Sequence, residues 1–235
     1  MGLSRDSYRN VPLPNEQTVA LSAAIIDIAR VRRRFGYRRI HDPLRPTFPA
    51  VNHKRVYRLY SDADLAVRKR KKAKRPVSER TPLQAAQNVN EVWSMDFVSD
   101  SLSNGRRIKC LTVADDFSHE CVDIATDYGI SGHYVTRLLD QAAIFRGYPR
   151  AVRTDNGPEF TSRAFIAWAQ RHGIRHLLIE PGRPLQNGYI ESFNARMRAE
   201  FLNGELFVTM FEAQVLTQRW IRYYNQIRPH SSLGG

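Results

Sequence analysis

Cysteine is scarce in this chain of 235 residues, where Cys110 and Cys121 are the only two. Two thiols in a chain of this size form no disulfide framework and indicate a reducing compartment, in which we expect both to be buried and free. No cysteine precedes residue 110, and His41 and His53 have no thiol close to them in sequence. A His/Cys zinc module in the first hundred residues is therefore not expected.

Long apolar runs are also missing. The one apolar stretch of interest near the N-terminus, residues 20–29, is broken by Asp27. We therefore expect no signal peptide, no membrane-spanning helix and no membrane partner. The composition is 42% hydrophobic and 25% charged, which is typical of a globular protein with room for one domain of ordinary size and a smaller one.

Acidic residues are rare in one part of the chain. Residues 30–80 contain 18 of the 36 Lys and Arg residues but only 4 of the 23 Asp and Glu residues, so this block holds all of the excess positive charge. Such a one-sided block favours binding to a polyanion over an ordinary solvated face. Charge alone leaves DNA, RNA and membrane surfaces open, and no amphipathic anchor or lipidation motif supports a membrane.

The basic block begins in a region with helical patterns. Apolar spacing and caps predict helices over residues 15–34, 37–44 and 53–66, with Leu21, Ile25, Ile28 and Val31 along the apolar stripe of the first. Three short helices with a basic last one are typical of a helix-turn-helix-like DNA-binding domain; a helical dimerisation module is the alternative. We expect Lys54, Arg55 and Arg58 to point outward and to contact DNA.

A basic linker follows the helical region. We place the helical domain at residues 1–67, the linker at 68–88, a larger core domain at 89–205 and a C-terminal helix and tail that pack on the core at 206–235. A run this basic cannot form a core and is expected to follow DNA phosphates. Its predicted DNA-contacting residues are Arg68, Lys69, Arg70, Lys71, Lys72, Lys74 and Arg75.

The second half of the chain alternates between strand and helix patterns. Strands are predicted over residues 92–98, 108–114, 121–126, 151–154 and 174–179, and helices over 131–145, 162–172, 188–202 and 211–224. Ser103-Asn104-Gly105 is a hairpin signal between the first two strands. A three-stranded meander followed by alternating helix and strand indicates an α/β fold with a mixed sheet.

Three acids on separate elements are candidate metal ligands. Asp155 closes a short apolar run before the turn-forming Asn156-Gly157-Pro158, and Asp96 is a charged residue inside an apolar strand. Glu191 lies on a helix with Asn194 and Arg198 on the same polar face. Three carboxylates without a His or Cys cluster are typical of a site for a pair of hard cations, with Mg²⁺ expected and Mn²⁺ as a possible substitute.

Other acids compete for the third position. Glu159 is close to Asp155 in sequence, but the adjacent turn is expected to direct it elsewhere, and Glu180 precedes a Pro/Gly-rich loop. Asp115 and Asp116 end the second strand, where we expect both to act as turn residues. The residues alone therefore leave the third position open between these acids and Glu191.

Three motifs carry a resemblance to a known family. They are Trp93-Ser94-Met95-Asp96-Phe97, then Thr154-Asp155-Asn156-Gly157-Pro158-Glu159-Phe160, and then Pro181-Gly182-Arg183-Pro184-Leu185-Gln186-Asn187-Gly188-Tyr189-Ile190-Glu191-Ser192-Phe193-Asn194. Together they resemble bacterial insertion-sequence transposases with a retroviral-integrase-like core, in particular the two-reading-frame group whose second frame encodes the catalytic subunit. Tyr224-Asn225 and the following Arg228-Pro229-His230 also resemble that group. The resemblance spans roughly residues 15–235.

The resemblance implies a ribonuclease-H-like integrase core with a mixed five-stranded sheet, preceded by a helix-turn-helix-like domain. It implies that Asp96, Asp155 and Glu191 are catalytic, with Asp96 bridging two Mg²⁺ ions. The implied activity is strand cleavage at element ends and transfer of the 3′-hydroxyl into target DNA. The implied partners are DNA, further copies of this chain on that DNA, and the upstream-frame protein of the same element, in the bacterial cytoplasm and at the nucleoid.

The loop before Glu191 and the face after it supply further predicted DNA contacts. They are Asn156, Arg183, Gln186, Asn187, Asn194 and Arg198, with a role in orienting the acids as the alternative for Asn156, Asn194 and Arg198. Two other functions remain open from the sequence. One is a ribonuclease-H-fold nuclease without strand transfer, and the other is an inactive DNA-binding regulator.

Overall fold

The computed structural model describes residues 15–67, 86–180 and 184–227. The chain divides into two compact units, residues 1–75 and residues 76–235, so the division falls inside the basic segment. Within the described residues, no helix is both long and apolar enough to cross a lipid bilayer.

The first unit contains three helices, α1 (Glu16–Val31), α2 (Tyr37–Leu44) and α3 (His53–Asp62). Asn15 caps α1 by accepting a hydrogen bond from the Thr18 N–H, and Asn52 caps α3 by accepting one from the Lys54 N–H, both at 2.8 Å. One apolar core joins the three helices. Its buried residues are Leu21, Ile25, Ala29, Phe35, Ile40, Leu44, Val56 and Tyr60.

Two expectations for the first unit were wrong. Val31 is 74% exposed, because it is the last residue of α1 and lies beyond the part of the helix that α2 and α3 cover. The third helix ends at Asp62 instead of Ala66. Asp64 has a left-handed backbone conformation with a φ of 53°, so the helix cannot continue through it. Helix propensity alone did not predict this early end.

The second unit is built on a mixed five-stranded sheet with the order β3-β2-β1-β4-β5. The strands are β1 (Val92–Ser101), β2 (Arg107–Asp115), β3 (Cys121–Asp127), β4 (Ala151–Thr154) and β5 (Arg175–Leu178). β2 pairs antiparallel with both β1 and β3, whereas β4 pairs in parallel with both β1 and β5. The hairpin signal between β1 and β2 is confirmed, with Gly105 at a φ of +81°.

Helices cover both faces of this sheet. The helices α4 (Gly132–Arg146) and α5 (Arg163–Arg171) contribute to a cluster with Trp93, Met95, Leu111 and Val113. On the other face, α6 (Gly188–Glu200) and α7 (Met210–Gln226) pack with Val98 and Cys110. The side chains that alternate along β1 and β2 thus contribute to two separate cores. The predicted α/β fold class is confirmed.

The last helix fastens the edge strand β3. The side-chain amide of Asn225 accepts a hydrogen bond from the Cys121 N–H and donates one to the Cys121 C=O, both at 2.9 Å. Gln214 donates to the Thr126 C=O at 3.0 Å. These bonds give Asn225 a role that its motif alone did not reveal. Cys121 and Cys110 are both free and buried, as expected.

Candidate active site

The three predicted acids lie at one end of the sheet. Asp96 is in the middle of β1, Asp155 directly follows β4, and Glu191 is in the first turn of α6. The strands β1 and β4 run in parallel, and Ser94 is paired with Arg153. Asp96 and Asp155 each lie two residues beyond that pair, so the register brings the end of β4, and the Asp155 that follows it, close to Asp96 on β1.

The electrostatics of Asp96 link the three acids. Burial raises the pKa of the Asp96 carboxyl, and the negative charges of Asp155 and Glu191 raise it further. The Phe97 N–H and the Asn194 amide act in the opposite direction by donating hydrogen bonds to the carboxylate. Asp155 and Glu191 are exposed, so the cluster is negative and open to solvent on one side.

Asn194 and Thr112 hold the Asp96 carboxylate in place. The Asn194 Nδ2 donates to the Asp96 Oδ2 at 2.9 Å, and the Thr112 Oγ1 donates to the Asn194 Oδ1 at 2.8 Å. Thr112 also contacts the Asp96 main-chain oxygen at 3.0 Å and faces Asp96 across the β1–β2 pair. The sequence analysis did not identify Thr112. The feature that could have indicated it is the presence of a small polar residue in the largely apolar strand that pairs with β1.

The loop after β4 fixes Asp155. The Asp155 Oδ1 accepts a hydrogen bond from the Gly157 N–H at 2.9 Å, and the Asn156 side chain donates to the Ile179 C=O at 2.9 Å. A Cβ atom on Gly157 would lie 3.0 Å from the Asp155 Oδ1 and 3.2 Å from the Glu159 Oε2. Glycine at this position therefore lets the loop close tightly around the carboxylate.

Glu159, a competing candidate for the third acid, forms an ion pair with a lysine. Its carboxylate pairs with Lys109 of β2, whose Nζ lies 3.8 Å from the centre of the Phe97 ring. Phe160 stacks on Phe97 with ring centres 5.2 Å apart. These contacts attach the loop after β4 to β1 and β2. The carboxylates of Glu159 and Asp155 nevertheless lie on either side of Gly157, where a Cβ atom would be 3.2 Å from the one and 3.0 Å from the other, so Glu159 stays near Asp155. Nothing in the sequence indicated that Lys109 would form this ion pair.

A buried ion pair lies next to the acids. The Arg153 Nη1 donates to the Asp116 Oδ2 and to the Ser94 Oγ, the latter at 3.5 Å. The Asp116 side chain is 1% exposed, and burial raises the pKa of its carboxyl. Its Oδ1 has no hydrogen-bond partner among the described residues. Asp116 begins the turn after β2, as expected, but the pairing of its side chain with Arg153 was not predicted. Asp115 binds the same turn by accepting from the Phe117 and Ser118 N–H groups.

The donor set fits hard divalent cations by its chemistry. The three acids offer only carboxylate oxygens, the type of ligand that hard divalent cations prefer. In the part of the chain that the structure describes, no three His, Cys, Asp or Glu side chains converge around one point. Three carboxylates spread over β1, β4 and α6 suit a pair of ions better than a single one.

The residues predicted to contact DNA in the first unit differ in exposure. Lys54 and Arg58 are exposed on α3, as expected. Arg55 is half-buried, because it donates to the Thr18 Oγ1 of α1 at 2.8 Å. The predicted basic contacts between residues 68 and 75 lie outside the described residues, and so does Arg183.

The predicted contacts around α6 make bonds within the chain. The Gln186 Oε1 accepts from the Glu180 N–H at 2.9 Å, and the Arg198 Nη2 donates to the Ser99 C=O at 2.8 Å. Asn187 is 5% exposed, and its Oδ1 has no partner among the described residues. Direct contact of these side chains with DNA stays a prediction, and for Asn187 it requires the loop to open.

Comparison with family models supports the two-unit architecture. Two models described as "Integrase core domain" match residues 86–184 and 172–235. A third, described as "HTH-like domain", matches residues 16–73. The integrase models together cover the whole sheet and the acids, and the HTH-like model covers α1, α2 and α3.

Solved structures share the fold of the core. A chain of a simian T-cell lymphotropic virus intasome matches with a TM-score of 0.56 at 18% identity, over 78% of this chain and 64% of that one. The HTLV-2 integrase catalytic core domain in complex with magnesium matches with a TM-score of 0.51 at 18% identity, over 62% of this chain and 91% of that one. At this identity the likeness shows a common integrase fold.

Relatives in sequence come from bacterial insertion elements. The chain is 66% identical to the "Insertion element IS476 uncharacterized 39.2 kDa protein" of Xanthomonas euvesicatoria, over 99% of this chain and 67% of that protein. It is 52% identical to the "Insertion element IS407 uncharacterized 31.7 kDa protein" of Burkholderia multivorans, over 99% of this chain and 84% of that protein. With the "Putative transposase InsK for insertion sequence element IS150" of Escherichia coli it shares 28% over 87% of this chain and 76% of that protein. The chain therefore belongs to the transposase-like proteins of bacterial insertion elements, with an integrase core and an HTH-like domain.

Proposed function

We propose that this chain is the catalytic subunit of a transposase, in which Asp96, Asp155 and Glu191 cleave DNA at the ends of an insertion element and join them to target DNA. The observation that carries the proposal is the placement of these acids on β1, directly after β4 and in the first turn of α6, near enough for the charges of Asp155 and Glu191 to raise the pKa of the Asp96 carboxyl. This cluster lies at one end of an integrase-type sheet. A cluster of negative charges that is open to solvent attracts divalent cations and, through them, phosphate.

Each acid has a defined place in the proposed reaction. Asp96, Asp155 and Glu191 would together hold the divalent ions, since all three supply carboxylate oxygens. Bound there, the ions would activate the attacking oxygen and stabilise the leaving one. Asn194 and Thr112 hold the Asp96 carboxylate, and the Gly157 N–H holds that of Asp155, so little reorganisation of these side chains is needed.

The proposed chemistry has two displacements at phosphorus. In the first, a water oxygen bonds to the phosphorus at the element end and the bond to the 3′-oxygen breaks, which leaves a 3′-hydroxyl. In the second, this hydroxyl attacks a phosphodiester of the target, and the target's own 3′-oxygen leaves. Both steps use the same acids, because each needs a deprotonated attacking oxygen opposite a leaving one.

Strand transfer separates this function from its alternatives. We expect the chain, supplied with labelled element-end DNA, target DNA and Mg²⁺, to give joined products as well as hydrolysis products. A nuclease of the same fold would give hydrolysis alone, and a DNA-binding regulator would give neither. Cleavage without any joined product would contradict the proposal.

We also propose that reading of the element ends is shared with the upstream-frame protein. The first unit offers one short exposed helix for base contacts, and phosphate contacts carry no sequence information. We expect this chain alone to bind end DNA and scrambled DNA with similar affinity at physiological salt, and the upstream-frame product to create a preference. Competitive binding measures this, and a preference of about 10³-fold or more by this chain alone would contradict it.

A further inference from the structure

The turn between α1 and α2 is unusually rich in arginine. Residues 30–39 contain six arginines and no acid. Three of these, Arg33, Arg34 and Arg38, are exposed and are called here the turn arginines. Within residues 15–67, the structure shows none of the three in an ion pair with an acid. Three neighbouring guanidinium groups without acids repel one another, and a polyanion would relieve this repulsion.

Local packing holds the turn close to the helices that follow. The Phe35 N–H donates to the Arg32 C=O at 2.8 Å, which closes the chain into a tight turn after α1. Phe35 is 4% exposed and anchors the turn in the core of the unit. Arg33 and Arg34 are therefore displayed from a fixed backbone, where the entropy lost on binding is smaller than in a flexible tail.

Two tyrosines connect the turn arginines to the exposed face of α3. The Arg38 Nε donates to the Tyr37 hydroxyl at 3.2 Å. The Tyr37 ring packs edge-on against the Tyr57 ring, with centres 4.9 Å apart. Tyr57 is 54% exposed and is the direct neighbour of Arg58 on α3. The surface of α3 predicted to meet DNA is thus continuous with Tyr37 and Arg38.

The bond to Tyr37 also prepares Arg38 for a ligand. It uses the Nε and leaves the two terminal nitrogens without a hydrogen bond to any described residue. Two parallel N–H donors on a guanidinium match two oxygens of a phosphate. A side chain that is already oriented loses less entropy when it binds.

We propose that the turn arginines bind the sugar-phosphate backbone of duplex DNA next to the groove that α3 enters. The inference rests on the proposed function, since it takes DNA bound at α3 as its starting point. An exposed turn beside a helix that lies in a groove meets the strand that borders this groove. The contacts add affinity and fix the register of the unit on DNA, and they read no bases.

The salt dependence of DNA binding by the full chain tests the proposal. In the variant Arg33→Ser/Arg34→Ser/Arg38→Ser, three phosphate contacts are lost, so the slope of log K against log salt should become shallower by about 2.7. The loss of binding affinity should be equal for element-end and scrambled DNA, because phosphate contacts do not depend on the base sequence. The variant Arg33→Lys/Arg34→Lys/Arg38→Lys should keep most of the slope, because lysine also neutralises phosphate.

A matched control removes the same charge elsewhere. Arg163, Arg171 and Arg175 are exposed on α5 and β5 of the other unit. Their replacement by serine should change the slope by less than about 0.9, the equivalent of one contact. The inference would be overturned if the serine variant of the turn arginines kept the wild-type slope of log K against log salt. It would also be overturned if the control variant lost as much of this slope as the turn variant. If the wild-type chain bound DNA without any salt dependence, the proposed function itself would fail, which is a separate outcome.

Discussion

Replacing Asp155 by asparagine should lower the rate of strand cleavage by at least about 10³-fold, because loss of one metal ligand removes several kcal/mol of transition-state stabilisation. The same loss is expected for Asp96→Asn and Glu191→Gln. DNA affinity should stay close to that of the wild type, since none of the three carboxylates binds phosphate directly. Cleavage assays on labelled end DNA and a parallel binding titration measure the two quantities.

The hydrogen bonds around the acids predict that these variants fold. An asparagine at position 155 keeps a side-chain oxygen for the Gly157 N–H, and one at position 96 keeps an acceptor for Asn194. The matched control is Glu205→Gln, because Glu205 is exposed and lies after α6, away from the three acids. It should cleave at the wild-type rate. Retained turnover in Glu191→Gln would show that another acid is the third ligand.

Replacing Arg153 by methionine should lower the free energy of unfolding by about 3–5 kcal/mol near neutral pH. The Arg153 and Asp116 side chains are 10% and 1% exposed, so the variant leaves a buried carboxylate without its partner. Urea unfolding measures the change. The double variant Arg153→Met/Asp116→Leu removes both charges and should recover most of the lost stability.

The pH dependence of this loss follows from the pKa of Asp116. Burial already raises the pKa of this carboxyl, and removal of Arg153 should raise it further. A raised pKa in the folded state favours the protonated form, so stability falls as pH rises through that pKa. The deficit of Arg153→Met should therefore be smaller at about pH 5 than at about pH 7.5.

A more exposed ion pair serves as the control for Arg153. Arg146 pairs with Glu120, and their side chains are 25% and 39% exposed. Solvent screens such a pair, so Arg146→Met should cost less than about 1 kcal/mol. If Arg153→Met were as stable as Arg146→Met at neutral pH, the buried pair would not have the structural importance that its burial implies.

The sequence predicted the elements of the core well and the side-chain partners poorly. Alternation along β1 separated Trp93 and Met95 from Ser94 and Asp96, and the structure places the first two in one core, as expected. Local patterns of this kind depend on residues a few positions apart, so they can be recognised in a single chain.

Partners that are distant in sequence could not be predicted in the same way. Thr112 and Asn194 are 82 positions apart, and Lys109 and Glu159 are 50 positions apart. Asp116 lies in the predicted turn, but its pairing with Arg153 depends on the registers of β1 with β2 and with β4. Contacts of this type follow from tertiary packing, which overrides local preference.

The hydrogen bonds between α7 and β3 can form only late in the synthesis of the chain. Asn225 and Gln214 cover main-chain groups of an edge strand, which would otherwise pair with a strand of another chain. Asn225 lies 104 positions after Cys121. At roughly 5–20 residues per second, the ribosome takes about 5–20 s to add these residues, and β3 stays uncovered during that time. Newly made chains are thus open to aggregation through this edge until α7 has emerged and docked.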